Sequence, residues 1–164
     1  MIRRAESADL AGIMQLEHES FPTDAWSEAM MREELVSRHG WYVVDEVAGR
    51  LVGYAGLRAV AGARDADVQT ITIAEASRGR GRGRALLTAL LDEAARRRVQ
   101  EVFLEVRADN PVAQKLYASE GFLEIARRPR YYQPDDVDAV VMKLDLVAWA
   151  RARSGDPADA GVCT

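Results

Sequence analysis

A chain of 164 residues, 48% hydrophobic and 29% charged, has the composition of one soluble globular domain able to bury a core without disulfide or metal staples. Its formal net charge of −4 argues against nucleic acid as a direct partner. The single cysteine, Cys163, excludes an internal disulfide; with a charged start (Met1 to Glu6) and no apolar run of membrane length, the expectation is a cytoplasmic protein with no membrane contact.

In chain order, Ile2-Arg3-Arg4-Ala5 reads as a short opening strand. Ser7-Ala8-Asp9 offers capping chemistry for a helix carrying Leu10, Ile13, Met14 and Leu16, which should stop before Pro22. Ser27 or Asp24 could cap a second helix through Met30, Met31, Leu35 and Val36, closed by Gly40. Trp41–Val47 and Leu51–Leu57 are β-rich runs around Ala48-Gly49-Arg50, a hairpin pattern. A polar connection, residues 61–67, leads into the β-branched strand Gln69–Ile73. From Ala85 to about Arg98 the apolar spacing turns helical, with Asp92/Arg96 and Glu93/Arg97 as i,i+4 pairs, each worth ~0.2–0.5 kcal/mol. Val102–Val106 is the next strand. Asn110-Pro111 opens a helix with Val112, Ala113, Leu116 and Tyr117 on its apolar face, and Gly121 ends it. Phe122–Arg130 and Ala139–Leu144 form a final hairpin around Tyr131-Tyr132-Gln133-Pro134-Asp135, and one domain is expected over residues 1–145. Residues 146–164 are expected to be a tail, with a helical turn at Ala148-Trp149-Ala150 and disorder beyond it.

The junction Arg78-Gly79-Arg80-Gly81-Arg82-Gly83, followed by Arg84, is the most informative stretch. Glycine lets backbone N–H groups approach a ligand, and a helix start leaves those groups unpaired and partly positive. Four alternating arginines would add formal charge to what reads as a pyrophosphate cradle. A P-loop needs GxxxxGK, and no lysine lies here. A dinucleotide fingerprint needs GxGxxG, but Arg84 or Leu86 stands where the last glycine belongs; Glu101 and Glu105 are its candidate ribose acids.

The third pattern, R/Q-x-x-G-x-G/A, is met by Arg78, Gly81 and Gly83. Leu104-Glu105-Val106-Arg107, Asn110, Lys115-Leu116-Tyr117 and Glu120-Gly121-Phe122 follow in order. On these residues the chain resembles the GCN5-related N-acetyltransferase (GNAT) superfamily, and within it the bacterial RimI branch, which acetylates the N-terminal amine of a ribosomal protein. Phe21-Pro22 and Tyr131-Tyr132 fit the same branch. The resemblance implies an α/β fold with a mixed, mostly antiparallel sheet, two parallel strands splayed apart and flanking helices. It places acetyl-CoA in the split. Ile71, Thr72 and Ile73 would pair with the pantetheine arm; Arg78, Gly79, Arg80, Gly81, Arg82, Gly83 and Arg84 would hold the pyrophosphate; Asn110 would bind near the thiol. By the same resemblance Glu105 is the general base, Tyr117 the general acid, and Phe21, Pro22, Tyr131 and Tyr132 meet the substrate. No metal is implied, and a monomer or weak dimer is expected.

An amine must be neutral to attack a thioester. With an α-amino pKa of ~7.7–8.0 against ~10.4 for lysine, an N-terminus carries roughly a few hundred times more neutral amine at pH 7. Each residue also has a plainer reading. Glu105 could pair with Arg107 or another arginine, Tyr117 could pack, Asn110 could only cap its helix, and the aromatics could be hairpin packing. His18 and His39 stand alone, without metal-ligand spacing. The reading favoured here is an acetyl-CoA-dependent acetyltransferase acting on the N-terminal alanine of a small-subunit ribosomal protein. Alternatives are transfer to a small-molecule amine or a protein lysine, or a non-enzymatic acyl-CoA-binding or RNA-binding regulator.

Overall fold

In the computed structural model, which describes residues 1–155, the strands are β1 (Ile2–Arg4), β2 (Gly40–Val47), β3 (Arg50–Arg58), β4 (Asp65–Ile73), β5 (Glu101–Arg107), β6 (Leu123–Tyr132) and β7 (Val137–Asp145). They form one sheet in the order β1-β2-β3-β4-β5-β7-β6. Every neighbouring pair is antiparallel except β4 and β5. The helices are α1 (Leu10–Ser20), α2 (Glu28–Val36), α3 (Arg82–Arg96), α4 (Pro111–Glu120) and α5 (Leu146–Ser154). The expected mixed sheet with flanking helices is therefore the observed fold.

The parallel pair is short. Only Asp65↔Glu101, Ala66↔Val102 and Asp67↔Phe103 match, and beyond them the strands part. The cause lies in β4. Its register with β3 steps from Leu57↔Val68 to Gly56↔Thr70, leaving Gln69 as an extra residue. Such a bulge bends the strand that carries it. It falls two residues after the last β5 pair, so β4 turns away from β5 there and opens the sheet.

The two faces bury separate cores. Leu86, Leu87, Leu90, Leu91 and Ala94 of α3 pack with Val102, Leu104 and Val106 of β5 and with Leu146 and Trp149 of α5. Ile13, Met14 and Leu16 of α1 and Met31 of α2 cover Tyr42, Val44 and Tyr54 on the other face. The strand alternation thus gives β5 one core face and one face carrying Phe103, Glu105 and Arg107.

Several local expectations change. Ser27, not Asp24, caps α2, its Oγ accepting the Met30 N–H at 3.2 Å. Gly40 opens β2 instead of closing α2, which already ends at Val36 with Ser37 as its C-cap; a Cβ on Gly40 would stand 2.7 Å from the Glu34 carbonyl oxygen. β4 begins at Asp65, inside the expected connection, since Ala66 and Val68 alternate inward between the aspartates. Glu93 takes both Arg96 and Arg97, leaving no Asp92–Arg96 pair among the described residues. Val112 is 78% exposed, outside the packed face of α4. The packed fold also runs past residue 145: α5 is capped by Asp145, and Leu146 and Trp149 are buried. Residues 156–164, with Cys163 and most of the stretch expected to be disordered, lie outside the described residues. No helix among the described residues is long and apolar enough to cross a membrane.

Candidate active site

The gap between β4 and β5 opens into a cavity of about 840 Å³. One wall is the free edge of β4. The Ala74 N–H bonds to the Val52 carbonyl at 2.8 Å, and antiparallel alternation then turns Thr72 and Thr70 toward β3. The polar backbone groups of Ile71 and Ile73 face the gap instead. Arg78 Nε already donates to the Ile73 carbonyl at 3.0 Å, which leaves the Ile73 N–H and both groups of Ile71 directed at the cavity. An extended, amide-bearing ligand could pair with that edge as an added strand.

The floor is the start of α3. Gly79 and Gly81 hold φ of 74° and 75°, in the left-handed region, and a Cβ on either would meet nothing within 4 Å. The first bond into the helix runs from the Ala85 N–H to the Gly81 carbonyl at 3.1 Å. The N–H groups of Arg82, Gly83 and Arg84 therefore lack backbone acceptors among the described residues, at the positive end of a fifteen-residue helix. The Arg82 and Arg84 side chains already have protein partners. Arg82 Nη1 bonds to Asp45 Oδ2 at 2.7 Å, and Arg84 pairs with Glu120 and with Ser119 Oγ (2.9 Å). Burial opposes ionisation of Asp45, yet Arg82 and the Met1 ammonium hold its carboxyl below the usual range. Arg80 is exposed and outside the cavity lining. Arg82 and Arg84 thus staple the helix start to its neighbours while lining the cavity beside its unpaired N–H groups.

Asn110 caps α4, its Oδ1 accepting the Ala113 N–H at 3.1 Å, and lines the cavity as well. Tyr117, about two turns further along α4, is buried at the cavity wall with its ring edge-on to Phe122, centroids 5.8 Å apart. Burial, with Tyr132 nearby, pushes its hydroxyl up to about 12. Phe21 and Pro22 line the cavity from the loop after α1.

Glu105, Tyr131 and Tyr132 lie just outside this lining. Glu105 is 28% exposed and pairs with Arg128 Nε at 3.2 Å, so its arginine partner is Arg128 and not Arg107. The two tyrosine rings meet edge-on, 5.1 Å apart, with Arg128 over Tyr131 and Arg107 over Tyr132. The Glu105 carboxylate pushes the Tyr131 hydroxyl up, and burial followed by Glu105 raises Tyr132 to about 12. These three residues form one patch beside the cavity.

Sequence reasoning missed two groups. Glu17, 1% exposed, accepts the Trp26 N–H at 3.0 Å with Oε1 and the Tyr54 hydroxyl with Oε2, tying the loop after α1 to the sheet. Its position four residues after Ile13, on the buried stripe of α1, was the available signal. Arg107, Asp24, Asp109 and Asp135 all line the cavity; Asp24 and Asp135 are distant in sequence from Arg107 and Asp109, and only Arg107, alternating with Glu105, carried any pointer.

No cluster of His, Cys, Asp and Glu suited to a metal occurs among the described residues. A sheet splayed at its one parallel pair, with a glycine turn feeding the next helix, is the architecture of GNAT acetyltransferases. Residues 10–122 match the acetyltransferase (GNAT) family, and the chain belongs to it; the protein is an acetyltransferase. More particularly, it is similar to RimI proteins. It is 40% identical over 153 residues to the N-alpha-acetyltransferase RimI of Mycobacterium tuberculosis, covering 92% of this chain and 90% of that one. The ribosomal protein bS18-alanine N-acetyltransferase of Escherichia coli K12 is 32% identical over 149 residues, covering 88% and 97%. The crystal structure of the ribosomal-protein-S18-alanine N-acetyltransferase from Escherichia coli superposes with a TM-score of 0.80 at 30% identity, covering 89% and 93%.

Proposed function

We propose that this acetyltransferase takes acetyl-CoA as donor and the N-terminal α-amine of a protein as acceptor, the N-terminal alanine of a small-subunit ribosomal protein being the substrate named for its relatives. The observation that carries the donor is one cavity joining an unpaired strand edge to an unpaired helix start. Ile71 and Ile73 offer amide partners for the pantetheine arm, and the N–H groups from Gly79 to Arg84 offer donors for the pyrophosphate. The open space above Gly79 and Gly81, which a Cβ would enter, fits a group seated on the backbone. Asn110 fits the arm near its thiol end. Acetyl-CoA, when bound, supplies an acetyl thioester.

The residues around it can manage the proton. Glu105 stands on the acceptor face of β5, half-buried and within reach of a cation, as its bond to Arg128 demonstrates. An incoming ammonium would replace Arg128 as that cation and give up its proton to Glu105, directly or through water. Tyr117 keeps its hydroxyl proton throughout the neutral range, so it can donate to the departing sulfur. Phe21, Pro22, Tyr131 and Tyr132 flank the route by which the acceptor would enter. Direct transfer needs no enzyme-bound acyl group.

The test is release of CoA thiol with a peptide beginning Ala-Arg. Wild type is expected to release thiol, and Glu105→Gln to lose about a hundredfold or more in kcat while still binding acetyl-CoA. Equal kcat in the two proteins would remove Glu105 from the reaction.

A further inference from the structure

Arg107 ends β5 two residues beyond Glu105 and on the same face, and its side chain lines the cavity mouth. Its guanidinium is shared among three separate segments. Nε and Nη2 bond to Asp109 at 3.0 and 3.2 Å, just past its own strand. Nη2 also bonds to Asp135 Oδ2 at 3.1 Å, in the turn between β6 and β7. Nη1 faces Asp24 Oδ2 at 3.8 Å, in the loop between α1 and α2. The Tyr132 ring lies under it, 5.3 Å from the guanidinium carbon. Asp24 and Asp135 line the same cavity. The loop carrying Asp24 is also held at its far side, where Glu17 accepts the Trp26 N–H.

The two loops that flank the acceptor route thus have one common fastening. We propose that Arg107 is a positioning residue that ties the α1–α2 loop and the β6–β7 turn to the end of β5, fixing the opening through which an amine reaches Glu105. The inference rests on the acceptor side assigned above. The chemistry requires arginine: a planar fork with five donors can serve several carboxylates and stack on a ring at once, whereas lysine offers one nitrogen. Asp109 is the inner anchor that orients the fork. Asp135 with Tyr132 gives one wall its hold, and Asp24 gives the other.

Three proteins test this: Arg107→Gln, Arg107→Lys and Asp135→Ala, each compared with wild type. For Arg107→Gln the KM for a peptide beginning Ala-Arg is expected to rise about tenfold, the scale of one charge-assisted contact at a partly exposed site. The acetyl-CoA Kd should stay within about twofold, because none of these contacts touches the glycine turn. Amide hydrogen exchange should accelerate in residues 20–27 and 130–137 together. Arg107→Lys should keep the melting temperature without restoring the acceptor KM. Asp135→Ala, at an exposed position, should loosen 130–137 alone. The proposal is overturned if Arg107→Gln leaves either segment's exchange unchanged, if acetyl-CoA affinity falls by the same factor as acceptor KM, or if lysine restores KM fully. Should wild type acetylate no peptide amine, the acceptor assignment fails, while the exchange measurement still decides whether Arg107 fastens both walls.

Discussion

Replacing Gly81 by alanine separates the cradle's stability from its binding. Gly81 sits at φ 75° with nothing within 4 Å of the position its Cβ would take. The fold therefore resists the methyl only through the backbone, at about 1–2 kcal/mol for an L-residue held in the left-handed region. For a chain of this size that lowers Tm by about 2–4 °C per kcal/mol. Binding should suffer more. The methyl enters the space assigned to the pyrophosphate, beside the unpaired N–H groups of Arg82, Gly83 and Arg84. Losing one charge-assisted N–H contact, at about 1.5–3 kcal/mol, weakens acetyl-CoA by about ten- to a hundredfold. Gly62→Ala is the matched control. Its φ is 78°, its Cβ would also meet nothing, and it lies outside the cavity lining. Both variants should lose similar stability by thermal melting, and only Gly81→Ala should lose affinity by calorimetry. Equal affinities for acetyl-CoA in the two variants would refute a backbone cradle at this turn.

Three further outcomes follow from buried groups. Burial raises the hydroxyls of Tyr117 and, with Glu105, Tyr132 to about 12, so the unfolded chain gives up these protons first. Their contribution is present below pH 10 and lost as pH rises from about 10 to 12; urea titrations across that window should show falling stability, with a shallower fall in Tyr117→Phe. Glu17→Ala would strand the Trp26 N–H and the Tyr54 hydroxyl in the core. Each unsatisfied group costs about 1–3 kcal/mol, so a loss of about 2–6 kcal/mol is expected by denaturation, and less than about 1 kcal/mol would deny Glu17 its anchoring role. Trp149→Ala removes an 8%-exposed ring whose indole N–H bonds to Glu120 at 2.9 Å. A loss of about 3 kcal/mol is expected, and a variant as stable as wild type would place α5 outside the cooperative fold.

Local signals carried most of the architecture. The β2–β3 hairpin was legible because Ala48-Gly49 supplies two positive φ values, and α4 because Asn110, Pro111 and Gly121 mark both ends. The Gly79–Gly83 turn was legible for the same reason. What escaped depends on tertiary partners. A run of alternate arginines says nothing about Asp45 or Glu120, thirty-six or more residues away, which hold the Arg82 and Arg84 side chains. The bulge at Gln69 that splays the sheet has no glycine or proline to announce it. Short helix α5 carries only Leu146 and Trp149 as buried residues, too few for a periodic pattern. Arg107 is one charge among many until Asp24, Asp109 and Asp135 converge on it.

Tandem mass spectrometry of the product tests the central claim most directly. A peptide with N-terminal alanine, an internal lysine and a small polyamine are offered together with acetyl-CoA. The account predicts a single acetyl group on the α-nitrogen of the alanine. An acetyl group on the lysine side chain or the polyamine, with the α-amine untouched, would contradict it.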